Sequence, residues 1–154
     1  MFFASLAAIV TPSLIIALTA VALGGSPSDG LIPIFILYGL IVSAAHFVVM
    51  GLPTLTLLNK FNLLKLKHVI SAGFLIAIIP TGIYRWPLPD GQFIGTIEAQ
   101  IYGFNVVKNI NGVPTMWGWL IYLKETFTPG LLFGIPAAFA FWYFYEGNTA
   151  REPN

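Results

Sequence analysis

At 154 residues, with 57% apolar and only 8% charged side chains, this chain cannot clothe a soluble fold in polar surface, since an ordinary soluble domain is about a quarter charged. A formal net charge of +1 leaves no electrostatic footprint for nucleic acid, and the absence of cysteine excludes disulfides, thiolate metal sites and cysteine nucleophiles. The apolar residues come in blocks near the ~20 residues that cross a ~30 Å hydrocarbon layer. The expectation is an all-α integral membrane protein with four transmembrane helices, a single membrane domain over residues 1–154. No internal repeat or low-complexity tract stands out.

A first span is predicted over residues 2–23. A cleaved leader would place Lys or Arg ahead of an apolar core of ~7–15 residues; no charge precedes Asp29, so a retained helix is expected. Pro12 sits mid-span, where it removes one hydrogen bond and crowds the preceding turn, and a kink is expected there. The run Gly24-Gly25-Ser26-Pro27-Ser28-Asp29-Gly30 reads as a turn.

A second span is predicted over residues 31–58. A straight helix of that length would reach about 42 Å, and tilt or a bend at Gly51-Leu52-Pro53 would absorb the excess. On a helical wheel Gly39, Val42, Ser43, His46, Met50 and Pro53 share one face, with Leu37, Ile41, Val48, Leu52 and Leu55 opposite. Small and polar residues favour helix contacts and branched aliphatics favour lipid, so the first set is the expected packed side.

A basic connection carrying Lys60, Lys65 and Lys67 leads to a third span over residues 68–84, with Pro80 and Gly82 near its end. Arg85-Trp86-Pro87 marks the exit, Trp86 serving as an interfacial anchor. Residues 85–127 form an extramembrane segment. Its stretch 92–107 is β-branched and aromatic with partial alternation, and Asn111-Gly112 is a turn signal, so a small β-hairpin or an irregular cap is expected. Met116 to Glu125 reads as an interfacial helix with Thr115 as N-cap, because Trp117, Trp119 and Tyr122 suit the headgroup layer. The fourth span is predicted over residues 128–145. Gly130, Gly134 and Ala138 form a small-residue seam along which a second helix could approach closely. The tail from Gly147 is polar.

His46 is the sharpest candidate for chemistry, being an ionisable residue within a span. A neutral imidazole there could relay protons or bind metal, or simply hydrogen-bond to Ser43, a carbonyl or a partner chain, and the structural role is favoured. Gly51 and Pro53 belong to the same candidate region. A haem between His46 and His68 is disfavoured, since His46 lies about 20 Å of helix inside Asn59 while His68 stands at that membrane edge. The carboxylates Asp29, Asp90, Glu98, Glu125, Glu146 and Glu152 all fall in loops or at ends, which weakens proton-coupled transport. Pro12, Pro53, Pro80 and Pro136 interrupt spans, as kinks for packing or as breaks lining a pathway. No catalytic residue, metal site or cofactor is expected from any spacing in the chain.

The motifs Ala45-His46, Gly51-Leu52-Pro53 and Ser71-Ala72-Gly73-Phe74 with Pro80 resemble those of a group of small uncharacterised bacterial four-span inner-membrane proteins. Gly112-Val113-Pro114-Thr115, Gly118-Trp119, Gly134 and Phe141-Trp142 are similar to the group's ending, so the likeness touches residues 39–142. The resemblance implies a four-span bacterial protein and lends no activity, substrate or cofactor.

The leading expectation is a non-enzymatic protein that binds another membrane protein, as an accessory or assembly subunit of an envelope complex, with an immunity-type protein as a special case. Its partners would be the lipid bilayer and a membrane protein or a second copy of itself. A small carrier or channel with His46 in its pathway is the rival, and an intramembrane enzyme comes third. The lysines at 60–67 face a first loop without basic residues, so both termini are expected on the cytoplasmic side and 85–127 outside. Cysteines placed singly at Asn62 and Gly91 test this with an impermeant thiol reagent on intact cells. Position 91 should react and 62 should not; the reverse pattern inverts the topology.

Overall fold

The computed structural model describes residues 1–25, 30–87 and 94–149. The middle of the predicted first turn, the start of the predicted strand-rich stretch and most of the polar tail lie outside the described residues. The protein is mostly helical, and four helical stretches are long and apolar enough to cross a membrane: Phe2–Ala22, Ile32–Lys60, Leu66–Tyr84 and Met116–Gly147. In order the elements are α1 (Phe2–Ala22), α2 (Leu31–His46), a π-turn (Phe47–Gly51), α3 (Leu52–Lys60) and α4 (Leu66–Tyr84). There follow β1 (Thr96–Ile101), β2 (Phe104–Ile110), β3 (Val113–Pro114), α5 (Met116–Pro129), a second π-turn (Gly130–Gly134) and α6 (Ile135–Thr149). The chain divides into two compact units, residues 1–77 with 129–154, and residues 78–128.

In the first unit α1 packs against both α2 and α6. Between lipid-immersed helices apolar burial brings little hydrophobic gain, so close van der Waals approach must hold them, and small residues permit it. Ala4, Val69, Ala138 and Phe141 form the buried cluster, and Phe47, Leu55 and Ile70 lie against it. The α1–α2 contact passes over Gly39, where an added Cβ would stand 3.0 Å from the Ser13 hydroxyl and 3.2 Å from an Ile16 methyl.

The two π-turns share one cause. Pro53 has no N–H to give the carbonyl of Val49, and its ring crowds that carbonyl. The turn widens, and Leu52, the residue before the proline, donates its N–H to Phe47, five residues back. Pro136 does the same to Leu132, and Ile135 donates to Gly130. In each case a Gly-aliphatic-Pro triplet closes the turn: Gly51-Leu52-Pro53 and Gly134-Ile135-Pro136. Pro12 and Pro80 lie inside α1 and α4 without a π-turn.

The extra residue shifts everything beyond it by about 100° on the helical wheel. Before the turn the expected faces are as drawn, with Gly39 buried and Leu37 and Ile41 exposed. After it Leu52 still faces outward as expected, but Pro53 is exposed and Leu55 lies against the core cluster. The fourth span differs too. Met116 to Gly147 is a single 32-residue helical stretch, so the helix expected at the interface runs on into the fourth span and is not a separate element.

The second unit holds an antiparallel sheet ordered β1-β2-β3. Both connections are two-residue turns with positive φ at each position, Tyr102-Gly103 (48° and 86°) and Asn111-Gly112 (48° and 75°), the geometry that matches strand twist. The pairing slips between Ile97 and Glu98, which oppose Asn109 and Val107, leaving Lys108 as the extra residue of a β-bulge.

Gly134 is where the fourth span meets α4. A Cβ there would stand 2.5 Å from the Gly73 carbonyl oxygen and 2.9 Å from the Ala77 methyl. Gly134→Leu should therefore lower the unfolding free energy by about 1–3 kcal/mol through overpacking, read by titration with SDS in mixed micelles. Gly147→Leu, at a position open for at least 4 Å, is the matched control and should be near neutral.

Candidate functional site

His46 closes α2 immediately before the first π-turn and is part-buried. Its Nδ1 lies 2.9 Å from the carbonyl oxygen of Val42, one turn back. A carbonyl can only accept, so Nδ1 carries the hydrogen, and in the neutral ring Nε2 is left with an acceptor lone pair. Among the described residues nothing bonds that second nitrogen. Ser43 is half-buried and makes no hydrogen bond to the ring. Gly51 is buried beneath the Phe47 ring, where a Cβ would stand 3.0 Å from the ring edge, and Phe47 in turn meets Phe141 at 6.5 Å between centroids. The structure thus sets Gly51 into the packing and turns Pro53 outward, so the four candidates do not form one cluster.

His68 is half-buried and its Nδ1 bonds the Leu63 carbonyl at 3.0 Å, so the two histidines are each committed to a carbonyl of their own neighbourhood. No group of three or more His, Cys, Asp or Glu side chains comes together among the described residues. Of the small-residue seam, Gly130 and Gly134 bracket the second π-turn and are buried, as is Ala138. Gly73 lies against Gly134 and Ala138, with a would-be Cβ 2.5 Å from the Ala138 methyl. This stretch of the seam is occupied by the chain's own α4.

A second constellation, in the unit 78–128, was only partly legible. Trp86, Trp119 and Tyr122 meet edge to face in a closed triangle, with centroids 5.8, 5.6 and 5.9 Å apart. The Tyr122 hydroxyl donates to the Gly82 carbonyl at 3.1 Å. That carbonyl is one of the orphans of a helix end, because the Trp86 N–H turns back to Ile83 instead. Gly82 itself has room for no branched side chain, with Thr126 Cγ2 3.2 Å from a Cβ there. Beside the triangle Arg85 pairs with Glu125. Arg85-Trp86, Trp119 and Tyr122 were each visible in the sequence as interfacial residues; that they meet, and that Arg85 finds Glu125 forty residues on, was not.

Thr115 ties the sheet to α5. Its hydroxyl accepts the Gly118 N–H at 3.2 Å, the N-cap bond, and points its own proton at the carbonyls of Val107 (2.5 Å) and Lys108 (3.1 Å). The Lys108 carbonyl also receives the Thr115 N–H at 2.9 Å and presses on Gly118, where any Cβ would collide with it. The bulge frees that carbonyl from the strand ladder.

Compared with protein-family models, curated proteins and solved structures, the chain matches none. The functional argument therefore rests on geometry alone.

Tyr122→Phe keeps the ring triangle and removes the bond to Gly82. It should cost about 0.5–1.5 kcal/mol of stability, measured by the same SDS titration. A variant as stable as the parent would mean that water already serves the Gly82 carbonyl.

Proposed function

We propose that this protein is a non-enzymatic subunit that binds another integral membrane protein, in an accessory or assembly role, within a bacterial inner membrane and with both termini cytoplasmic. The observation that carries the proposal is the second ring nitrogen of His46. It is an acceptor within a candidate membrane span, and the described part of its own chain supplies no donor. Hydrocarbon supplies none either, and leaving a polar group unmet there is costly. A hydroxyl, amide or indole N–H from a neighbouring helix would meet it. The spans also cover one another sparingly: 11% of the first two apolar windows is buried and 6% of the third. Broad helix faces stay open to lipid or to a partner, and the polar point at His46 would select the register of one partner among many apolar surfaces. An immunity-type protein that blocks a membrane-active toxin would use the same chemistry.

One observation favours a carrier or channel instead. His46 directly precedes a π-turn, and interrupted helices line pathways in many transporters. Two variants separate the readings. In a subunit, glutamine at position 46 keeps an acceptor and should retain co-purification of the partner. His46→Leu strands the partner's donor and should weaken retention by about 1–3 kcal/mol, roughly a 5- to 150-fold loss. In a proton pathway glutamine cannot titrate. A well-folded His46→Gln protein that behaves like a deletion would overturn the subunit proposal and favour the pathway.

A further inference from the structure

The three basic residues of the unit 78–128 differ in what they face. Arg85 is paired with Glu125, and Lys124 lies over the Tyr102 ring, 5.8 Å from its centroid. Lys108 has no ion pair among the described residues, although it is part-buried. It is also the bulged residue of β2, and bulges re-aim a side chain out of the ladder's alternation. Here the re-aimed residue lines a cleft of about 290 Å³, together with Arg85, Trp86, Asn109, Tyr122 and Glu125. Among the described residues the cleft holds two cations against one carboxylate. Glu125 takes one edge of the Arg85 guanidinium, and a guanidinium has five N–H donors, so others remain for a second acceptor.

The depth of the cleft follows from the spans. Arg85 is the residue after Tyr84, the last of a candidate membrane helix, and the Trp86, Trp119 and Tyr122 rings beside it are of the kind that collects at the headgroup layer. An anion reaching the cleft from the bilayer would meet a lysine, an arginine and an asparagine among its lining residues, with the Trp86 and Tyr122 rings beside them to take apolar carbons. Arginine and lysine meet phosphate in complementary ways, the first as a planar fork and the second as a point charge.

We propose that this cleft is a binding site for a phosphate ester of net negative charge, with Lys108 as the principal cation and Arg85, held in place by Glu125, as the second. The ligand reaches it as the headgroup of an anionic lipid or as a soluble phosphate ester; both present an anionic phosphate without a cation of its own.

The test uses the full chain, reconstituted in nanodiscs of equimolar phosphatidylglycerol and phosphatidylcholine, released into mild detergent and examined by native mass spectrometry. The parent protein should retain phosphatidylglycerol over phosphatidylcholine by at least about fivefold. Lys108→Gln should bring the ratio near unity, while Lys108→Arg, which restores the charge, should recover most of it. Lys60→Gln, at the end of α3 in the other unit, should leave the ratio unchanged. Glycerol 3-phosphate at millimolar concentration is the second arm. If it displaces the lipid in a Lys108-dependent manner, the site accepts soluble phosphate esters; if Lys108-dependent lipid retention persists, the site is specific to the membrane-borne headgroup. Equal retention of the two lipids by the parent, or a preference that survives Lys108→Gln in a protein of parental melting temperature, overturns the proposal. A Lys108→Gln protein that fails to fold is replaced by the Lys108→Arg and Lys60→Gln pair: loss of the preference in Lys60→Gln alone would move the anion to the other unit and overturn it too.

Discussion

Hydrocarbon offers a peptide backbone no hydrogen-bonding partner, and this protein places proline in that environment repeatedly. Each proline removes a donor and pushes a carbonyl aside. At Pro53 and Pro136 the helix answers by widening one turn, sending the N–H of Leu52 and of Ile135 to a carbonyl five residues away. The glycine that ends each π-turn has no side chain to obstruct that widening. At Gly134 the same absence lets Gly73 approach, so one residue serves backbone continuity and helix packing together. The core at this level, around Ala138 and Phe141, exists because the chain stays hydrogen-bonded through its prolines.

Much of this was readable from composition and blocks of apolar residues, because the bilayer imposes a length and a polarity that a chain can meet in few ways. The four spans, the strand-forming stretch and the Asn111-Gly112 turn are written in local signals. The faces of the second span were legible as far as Leu52, with Val48 and Leu52 exposed and Met50 half-buried. Beyond Leu52, an α-helical wheel carries the wrong phase, and Pro53 and Leu55 exchange sides. The Gly-aliphatic-Pro triplets at 51–53 and 134–136 were the available clue to both shifts. Proline alone was not, since Pro12 and Pro80 sit in helices without one.

The unit between the third and fourth spans shows the opposite balance. Its strands were foreseen from β-branched residues, but its chemistry comes from pairings that no short window contains. The Gly82 carbonyl finds Tyr122, and Arg85 finds Glu125, each forty residues away. The first hairpin turns on Tyr102-Gly103, where a tyrosine accepts a left-handed conformation that sequence rules reserve mainly for Asn, Asp and Gly. Nothing in the residues around Lys108 marks it; the register that sets Ile97 opposite Asn109 and Glu98 opposite Val107 makes it the extra residue of a bulge. His46, by contrast, was conspicuous from the start, and the structure adds which of its two nitrogens is spoken for.

The π-turns have a consequence for how such a protein can change. In an uninterrupted helix the azimuth of every residue is fixed by its distance from every other, so the two leaflets of the membrane must be satisfied by one continuous pattern. A single widened turn uncouples them. The residues of α2 can be chosen for one set of neighbours and those of α3 for another, with the offset between them set at Phe47–Gly51. The turn works as a vernier between two half-helices, and a one-residue change in its length would re-index the contacts of one half while leaving the other untouched.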